Sequence, residues 1–316
     1  MTVAFLGSGP LGLPTLNALH ASDEVDLVGV VTQPDRPGGR GLKLKSTPIR
    51  QRAGVLGLPV LQPHRANEAV DELRALDADV YVVAAYGQIL SREVLDIPHV
   101  APINLHASLL PKYRGAAPVH WALIRGETDT GVTTFIMEEG LDSGPILVQR
   151  TLEIDDRDTA GTLEGRLAEI GADAVLETVR GLRDGTLEPR PQDSDEATLA
   201  PKIQKAQGEI DWTQDAVAIA NLIRGLNPWP GAYTHWRGDR LKVHFARSAS
   251  PEAANGRGGE PGEVIGVGPD GPCVQTGQGL LELIEVQPAG KKPMQGLDLV
   301  NGYRLEIGEQ LGRAQR

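Results

Sequence analysis

The chain of 316 residues holds one cysteine, Cys273. A disulfide framework, a cysteine zinc site and an iron–sulfur cluster all need more thiols, so each is excluded. Cys273 itself lies in a strand-like apolar run and is expected to be a small buried hydrophobe. The seven histidines form neither H-x-x-x-H nor H-E-x-x-H, so no metal is expected. No stretch approaches the roughly 18 apolar residues that a bilayer-spanning helix needs. Met1–Leu19 has no cation ahead of its apolar part and is broken by glycine and proline, so it reads as structure rather than as a secretion signal. The expectation is a cytoplasmic protein with no membrane partner. Positive charge is also short, with 31 basic residues against 42 acidic and a net charge of −11. General nucleic-acid coats and membrane-surface binders are usually basic overall. Any polyanionic partner must therefore be met by a local patch.

What is present suffices for two folded bodies. At about 150 residues per domain the length suggests two, and the 40% of hydrophobic residues supplies a core for each. The first half alternates strand-like and helix-like patterns. Thr2–Gly7 and Val25–Val31 flank a helical Leu11–His20. A helical Asn67–Leu76, a strand Val80–Ala85, a helical Ala117–Ile124, a strand Val132–Met137 and a long helix Thr162–Leu182 follow. This predicts an α/β, doubly wound, mostly parallel Rossmann-like sheet. Residues 186–204 are rich in proline and polar groups, as linkers are. Beyond them, a helical Gln214–Leu226 precedes the rigid turn Asn227-Pro228-Trp229-Pro230-Gly231. Short runs at Leu241–Ala246, Gly262–Val267, Cys273–Thr276 and Leu280–Val286 then predict a smaller OB-like β-barrel. The expected organisation is a first domain over 1–185, a linker over 186–204 and a barrel over 205–316. Trp212, Trp229, Tyr233 and Trp236 are expected in a packed core or an interface rather than as a platform for stacked bases.

Three motifs carry chemistry. Gly7-Ser8-Gly9-Pro10-Leu11-Gly12 fits G-x-G-x-x-G between a strand and a helix. A dinucleotide site would also want an acidic residue closing the next strand, and that strand closes Val30-Val31-Thr32-Gln33. A tight turn needs the same small residues, so no nicotinamide cofactor is expected. In the centre, Asn104 and His106 are two apart, which on a strand puts them on one face. They stand where the strand should end, and ligand crevices in open parallel sheets lie outside the carboxyl ends of strands. Ser108–Pro111 then makes a turn whose backbone suits a flat heterocycle. Asp142, in the loop Glu138–Gly144, follows the next strand and can reach the same crevice. Alone, each would be an ordinary hydrogen-bonded core or turn residue. Together, and without an activated serine or cysteine, they suggest proton transfer with oxyanion stabilisation rather than attack by an enzyme nucleophile. The third motif opposes the overall charge: from Arg36 to Arg65 there are seven basic residues, among them Arg40, Lys43 and Lys45, and no acidic one. A long basic loop after a strand is unusual in a compact α/β domain.

These segments resemble a known family. Asn104-Leu105-His106, the Ser108–Gly115 run and Asp142 are similar to the 10-formyltetrahydrofolate-dependent formyltransferases. Gln33–Gly41, Ala85-Tyr86-Gly87, Gly208–Trp212, Asn227–Pro230 and Gln287–Lys292 narrow the resemblance to the branch acting on methionyl initiator tRNA for translation initiation. The family usually opens Gly-Thr-Pro followed by an aromatic residue; here the proline is shifted and the aromatic is absent. The resemblance implies 10-formyltetrahydrofolate as co-substrate and catalysis by Asn104, His106 and Asp142. Ala85, Tyr86 and Gly87, with Ser108, Leu109, Leu110 and Pro111, would line the folate pocket. Arg36, Arg40, Lys43, Lys45, Lys202, Lys205, Lys291 and Lys292 would hold the tRNA acceptor end, and a monomer is expected. A nucleotide-sugar N-formyltransferase would share the site and the donor but has no use for the basic stretch. A formyltetrahydrofolate hydrolase would not need the tail. A non-catalytic RNA-binding module would leave Asn104, His106 and Asp142 unexplained.

Overall fold

The computed structural model describes residues 1–38, 43–254 and 257–312, with Lys43, Ala253 and Ala254 described by their backbone alone. The chain divides into two compact units, 1–118 with 129–153 and 163–201, and 119–128 with 154–162 and 202–316. The stretch expected as a linker, 186–204, falls mostly in the first unit, and residues 119–128 and 154–162 count with the second.

In chain order the elements are β1 (Thr2–Gly7), α1 (Gly12–Ala21), β2 (Asp26–Val31), β3 (Arg36–Gly38), β4 (Lys43–Lys45), α2 (Pro48–Val55), β5 (Val60–Leu61), α3 (Val70–Arg74), β6 (Val80–Ala84), α4 (Arg92–Leu95), β7 (Ala101–His106), α5 (Pro118–Ile124), β8 (Asp129–Ile136), β9 (Ile146–Glu153) and α6 (Ala160–Asp184). Seven strands form one sheet in the order β5-β2-β1-β6-β7-β8-β9. The first five are parallel, β8 runs antiparallel to β7, and β9 runs antiparallel to β8. The sheet is therefore mixed, with a parallel part of the expected doubly wound kind. β6 is buried at every position, as its double-sided apolar pattern requires. Helix α6 lies across one face: a side chain at Gly171 would stand 2.8 Å from Leu105, and Thr178 Oγ1 lies 2.6 Å from Thr134 Oγ1. Asn104 alternates to the other face, in register with Val83 and Phe135.

The glycines of the first turn serve packing. A Cβ at Gly7 would meet Phe5 at 2.6 Å and the Ala84 carbonyl at 2.9 Å. The amides of Ser8 and Gly9, which a pyrophosphate would need, both donate to the Ala85 carbonyl at 3.2 Å. The expected basic loop is a short two-stranded ribbon, β3 on β4, with Arg36 opposite Lys45. Its far end, including Arg40, lies outside the described residues.

The second unit holds α7 (Ala216–Gly225), β10 (Ala232–Trp236), β11 (Asp239–Ala249), β12 (Val264–Val267), β13 (Pro272–Gln275), β14 (Leu280–Pro288), β15 (Met294–Gln295) and α8 (Gly296–Tyr303). The antiparallel path is β10-β11-β14-β13-β12, with β15 on β14. The gap between β12 and β10 is bridged by the segment 308–312. Gly308 N donates to Val264 O at 2.7 Å, Leu311 N to Gly262 O at 2.8 Å and Gly312 N to His235 O at 2.9 Å. Closure of this kind removes exposed strand edges. Asp215 caps α7 by accepting from Val217 N at 2.8 Å, and α7 buries Ile219 and Ile223 against Leu241, Val243 and Leu281. Trp212 and Trp236 join this core, but Trp229 is 47% exposed, because its turn lies outside the sheet. Cys273 is fully buried and its thiol is pushed up to about 11 by burial, as suits a small hydrophobe.

Candidate active site

His106 closes β7 and is 6% exposed. Its Nε2 lies 2.9 Å from the Tyr113 carbonyl. A carbonyl only accepts, so Nε2 carries the hydrogen and Nδ1 is the atom left for other chemistry. Nδ1 stands 3.7 Å from Asp142 Oδ2. That carboxylate, 18% exposed, also accepts from the Gly115 amide at 2.7 Å. Asn104 is half-buried on the same strand, and among the described residues its carboxamide has no protein partner. Phe135 sets its ring edge-on to His106, centroids 6.5 Å apart.

The route by which Asp142 arrives is not the expected one. β8 runs antiparallel to β7, so its carboxyl end lies beside Ile103, at the far end from His106. The loop 138–144 must fold back along the sheet to place Asp142. It does so with Asp142 in the left-handed region, φ 48°. Packing is tight enough that a Cβ at Gly144 would collide with the Ile136 carbonyl.

Segment 113–115 aligns both ionisable side chains, through the Tyr113 carbonyl and the Gly115 amide. It is held in turn by residues from the proline-rich stretch. Thr198 Oγ1 accepts from Tyr113 N at 2.9 Å, while Arg114 N donates to Thr198 O at 2.8 Å and Arg114 O accepts from Ala200 N at 2.7 Å. Gly115 adopts φ 122°, and a Cβ there would stand 2.8 Å from the Ala200 carbonyl, so only glycine fits. Gln192 donates to the carbonyls of Asp142 and Gly144, both at 2.8 Å, while its Oε1 accepts from Arg114 Nε and Nη2 at 3.0 and 2.7 Å. Sequence reasoning placed Tyr113, Arg114 and Gly115 in the central motif without giving them a role, and it missed Gln192 and Thr198. Tyr113 and Gly115 act through backbone atoms, which any residue carries, the Arg114 side chain acts on a partner far along the chain, and the last two lie in a stretch with linker composition.

The two segments expected to line a heterocycle pocket differ. In the Ser108–Pro111 turn, Ser108 Oγ donates to Lys112 O at 2.7 Å. Thr133 Oγ1 donates to Ser108 O at 2.7 Å and accepts from Leu110 N at 3.1 Å. Gln149 donates to Leu110 O at 2.9 Å. The polar groups of Ser108 and Leu110 are thus bonded within the protein, and Leu109 and Pro111 are the half-exposed members. In the 85–87 turn, Ala85 (φ 46°) and Gly87 (φ 77°) are exposed left-handed residues. The Tyr86 ring is instead 2% exposed in the apolar core with Val83 and Leu90, and its hydroxyl has no partner among the described residues. Burial pushes that phenol up to about 12.

The cations proposed for a polyanion are on the surface. Arg36 and Lys45 are exposed on the ribbon. The ribbon is anchored at its base by Asp35, which accepts from Gln62 at 2.9 Å and Ser46 at 2.8 Å. Those bonds, Gln62 first, hold the Asp35 carboxyl below its ordinary range. Lys202, Lys205, Lys291 and Lys292 are all exposed; the side chain of Lys43 and all of Arg40 fall outside the described residues. Among the described residues no three His, Cys, Asp or Glu are grouped to hold a metal, and no helix is long and apolar enough to cross a membrane.

Comparison with known proteins gives the family and the fold. Residues 1–179 match the family model of the formyl transferases, and residues 202–304 match that of the formyl transferase C-terminal domain. The methionyl-tRNA formyltransferase of Roseiflexus sp. (strain RS-1) is 46% identical over 99% of this chain and 96% of its own length. Among solved structures, the methionyl-tRNA formyltransferase from Clostridium thermocellum superposes with a TM-score of 0.57 at 17% identity, over 81% of this chain and 95% of that one. The N-formyltransferase from Helicobacter canadensis, solved with folinic acid and dTDP-3-aminofucose, gives 0.64 at 17% identity, over 90% of this chain and 98% of that one. The two solved structures share the fold.

Proposed function

The chain belongs to the formyl transferase family, and from that membership we propose that it moves the formyl group of 10-formyltetrahydrofolate onto the α-amino group of methionyl initiator tRNA. The observation that carries this reading is that 46% identity runs through both units to an enzyme of that name. The likeness to the sugar-linked N-formyltransferase is one of fold.

The site residues suit the chemistry. An α-amino group titrates near ~7.7, so a good share is neutral and nucleophilic at cellular pH. The reaction forms a bond from that nitrogen to the formyl carbon, breaks the bond to the folate nitrogen, and passes one proton from the first nitrogen to the second. Asn104 donates to the formyl oxygen as negative charge builds there; one preorganised donor of this kind is worth roughly 10²–10³ in rate. His106 keeps the hydrogen on Nε2 for Tyr113 and moves the travelling proton through Nδ1, a contribution of roughly 10²–10⁴. Asp142 faces that atom, orients the ring and stabilises its charged form. The exposed backbone of Ala85 and Gly87, with Leu109 and Pro111, forms the walls for the pterin. Tyr86, Ser108 and Leu110 support those walls from inside.

Proton transfer has no use for the ribbon. Arg36, Lys43 and Lys45 meet the phosphates of the acceptor end, which positions the substrate without reading its sequence. Arg40, flanked by glycines, is the residue to enter the acceptor helix. Lys202, Lys205, Lys291 and Lys292 extend the track. With an aminoacylated tRNA as acceptor, the protein acts in the cytoplasm, as a monomer. The test is to supply formyl-labelled tetrahydrofolate with candidate acceptors. Label on methionyl initiator tRNA is expected. Label on an amino sugar, or released only as formate, would reject the reading.

A further inference from the structure

We propose that Gln192 is a positioning residue for the formyl transfer, holding the loop that carries Asp142 so that its carboxylate stays against His106; this rests on the catalytic roles proposed for those two residues. From 188 to 196 every side chain is exposed except that of Gln192, which alone turns inward. Its amide spans both carbonyls of the fold-back, those of Asp142 and Gly144, at 2.8 Å each. Its oxygen is gripped by two nitrogens of Arg114 at 3.0 and 2.7 Å. The residues on either side of Arg114 align the site. Tyr113 O holds His106 and Gly115 N holds the Asp142 carboxylate. One closed circuit thus runs from Arg114 through Gln192 to the Asp142 backbone, and from the Asp142 carboxylate back to Gly115. Asp142 sits at φ 48°, a conformation that carries strain for a residue with a side chain and persists only where its surroundings hold it. Gln192 supplies that hold.

Glu at this position separates the clamp from simple packing. Gln192→Glu keeps the chain length and still accepts from Arg114, but it offers no N–H to the two carbonyls. The expected result is a fall in kcat of about 10- to 100-fold, because small misplacements of reacting groups cost that much. The KM values for formyltetrahydrofolate and methionyl initiator tRNA should change by less than about twofold, the mark of an interaction that matters at the transition state. Gln192→Ala should show the same split. In an Asp142→Asn background, Gln192→Glu should add little further loss, since both changes act through one group. A Gln192→Glu enzyme with unimpaired kcat, or losses that multiply in the double variant, would overturn the clamp. A parent chain unable to formylate the tRNA would overturn the reading of the site, and the clamp with it.

Discussion

The loop that carries Asp142 and the ribbon that carries Arg36 and Lys45 are both excursions from the seven-stranded sheet, and they are built on opposite terms. The Asp142 loop is bonded at its carboxylate by Gly115 and at two carbonyls by Gln192. The ribbon is anchored at its base by Asp35, and Arg36 and Lys45 are exposed. The contrast follows from what each task tolerates. Proton transfer is sensitive to displacements near 1 Å, so its carboxylate is fixed by backbone bonds. Attraction to a phosphate chain is felt over a screening length of about 8 Å at physiological salt, so a cation need only be near.

The largest expected effect comes from breaking the fixed side. His106→Ala should lower single-turnover formylation by roughly 10²–10⁴, while equilibrium binding of methionyl initiator tRNA stays close to that of the parent. Lost affinity with normal turnover would erase the division of labour. A smaller effect is expected on the loose side. Removing Arg36, Arg40 or Lys45 singly to Ala should weaken use of tRNA and leave the KM for folate unchanged. The slope of log affinity against log salt should become shallower by about 0.7–0.9 for each phosphate that is no longer neutralised. Unchanged tRNA kinetics would detach the ribbon from the acceptor.

The smallest effect probes the turn at 85–87, whose exposed backbone lies over an unpaired hydroxyl. Tyr86→Phe keeps the ring and deletes the orphan oxygen, so thermal unfolding should show a gain of about 1 kcal/mol. The pH dependence has a definite sign. The phenol is raised to about 12 in the folded chain against about 10 in an unfolded one. Burial therefore costs nothing through ionisation below pH ~10, and the fold loses stability to it as the pH rises through about 12. The phenylalanine variant should show a flatter alkaline limb; an unchanged limb would mean that the phenol is not raised, and a lower melting temperature that the hydroxyl is satisfied.

Much of this was legible in the chain. The strand at Thr2–Gly7 and the helices near 12–21, 160–184 and 216–225 stand close to where the apolar pattern puts them, because the helices bury one apolar face and the strand is buried on both. The pairing of Asn104 with His106 follows from strand geometry alone. Strand β10, with His235 half-exposed among buried neighbours, was hidden among aromatic residues that suggested a cluster rather than a strand. The antiparallel turn of β8 was hidden as well, since an apolar run reads the same in either direction. The bridging of the barrel by 308–312 depends on backbone groups, and side-chain patterns do not report where those go.

The order of residues by itself determined which segments could be strand or helix, that two cores would form, that positive charge would be confined, and that an amide, an imidazole and a carboxylate were available. Those follow from local periodicity and side-chain chemistry, which act over a few residues. Tertiary structure alone decided that the third group reaches the other two by folding back from the wrong end of an antiparallel strand. It also decided that Gln192, fifty positions further along, keeps it there. The physical reason is that backbone carbonyls and amides are identical at every position, so only the assembled fold selects which of them meet.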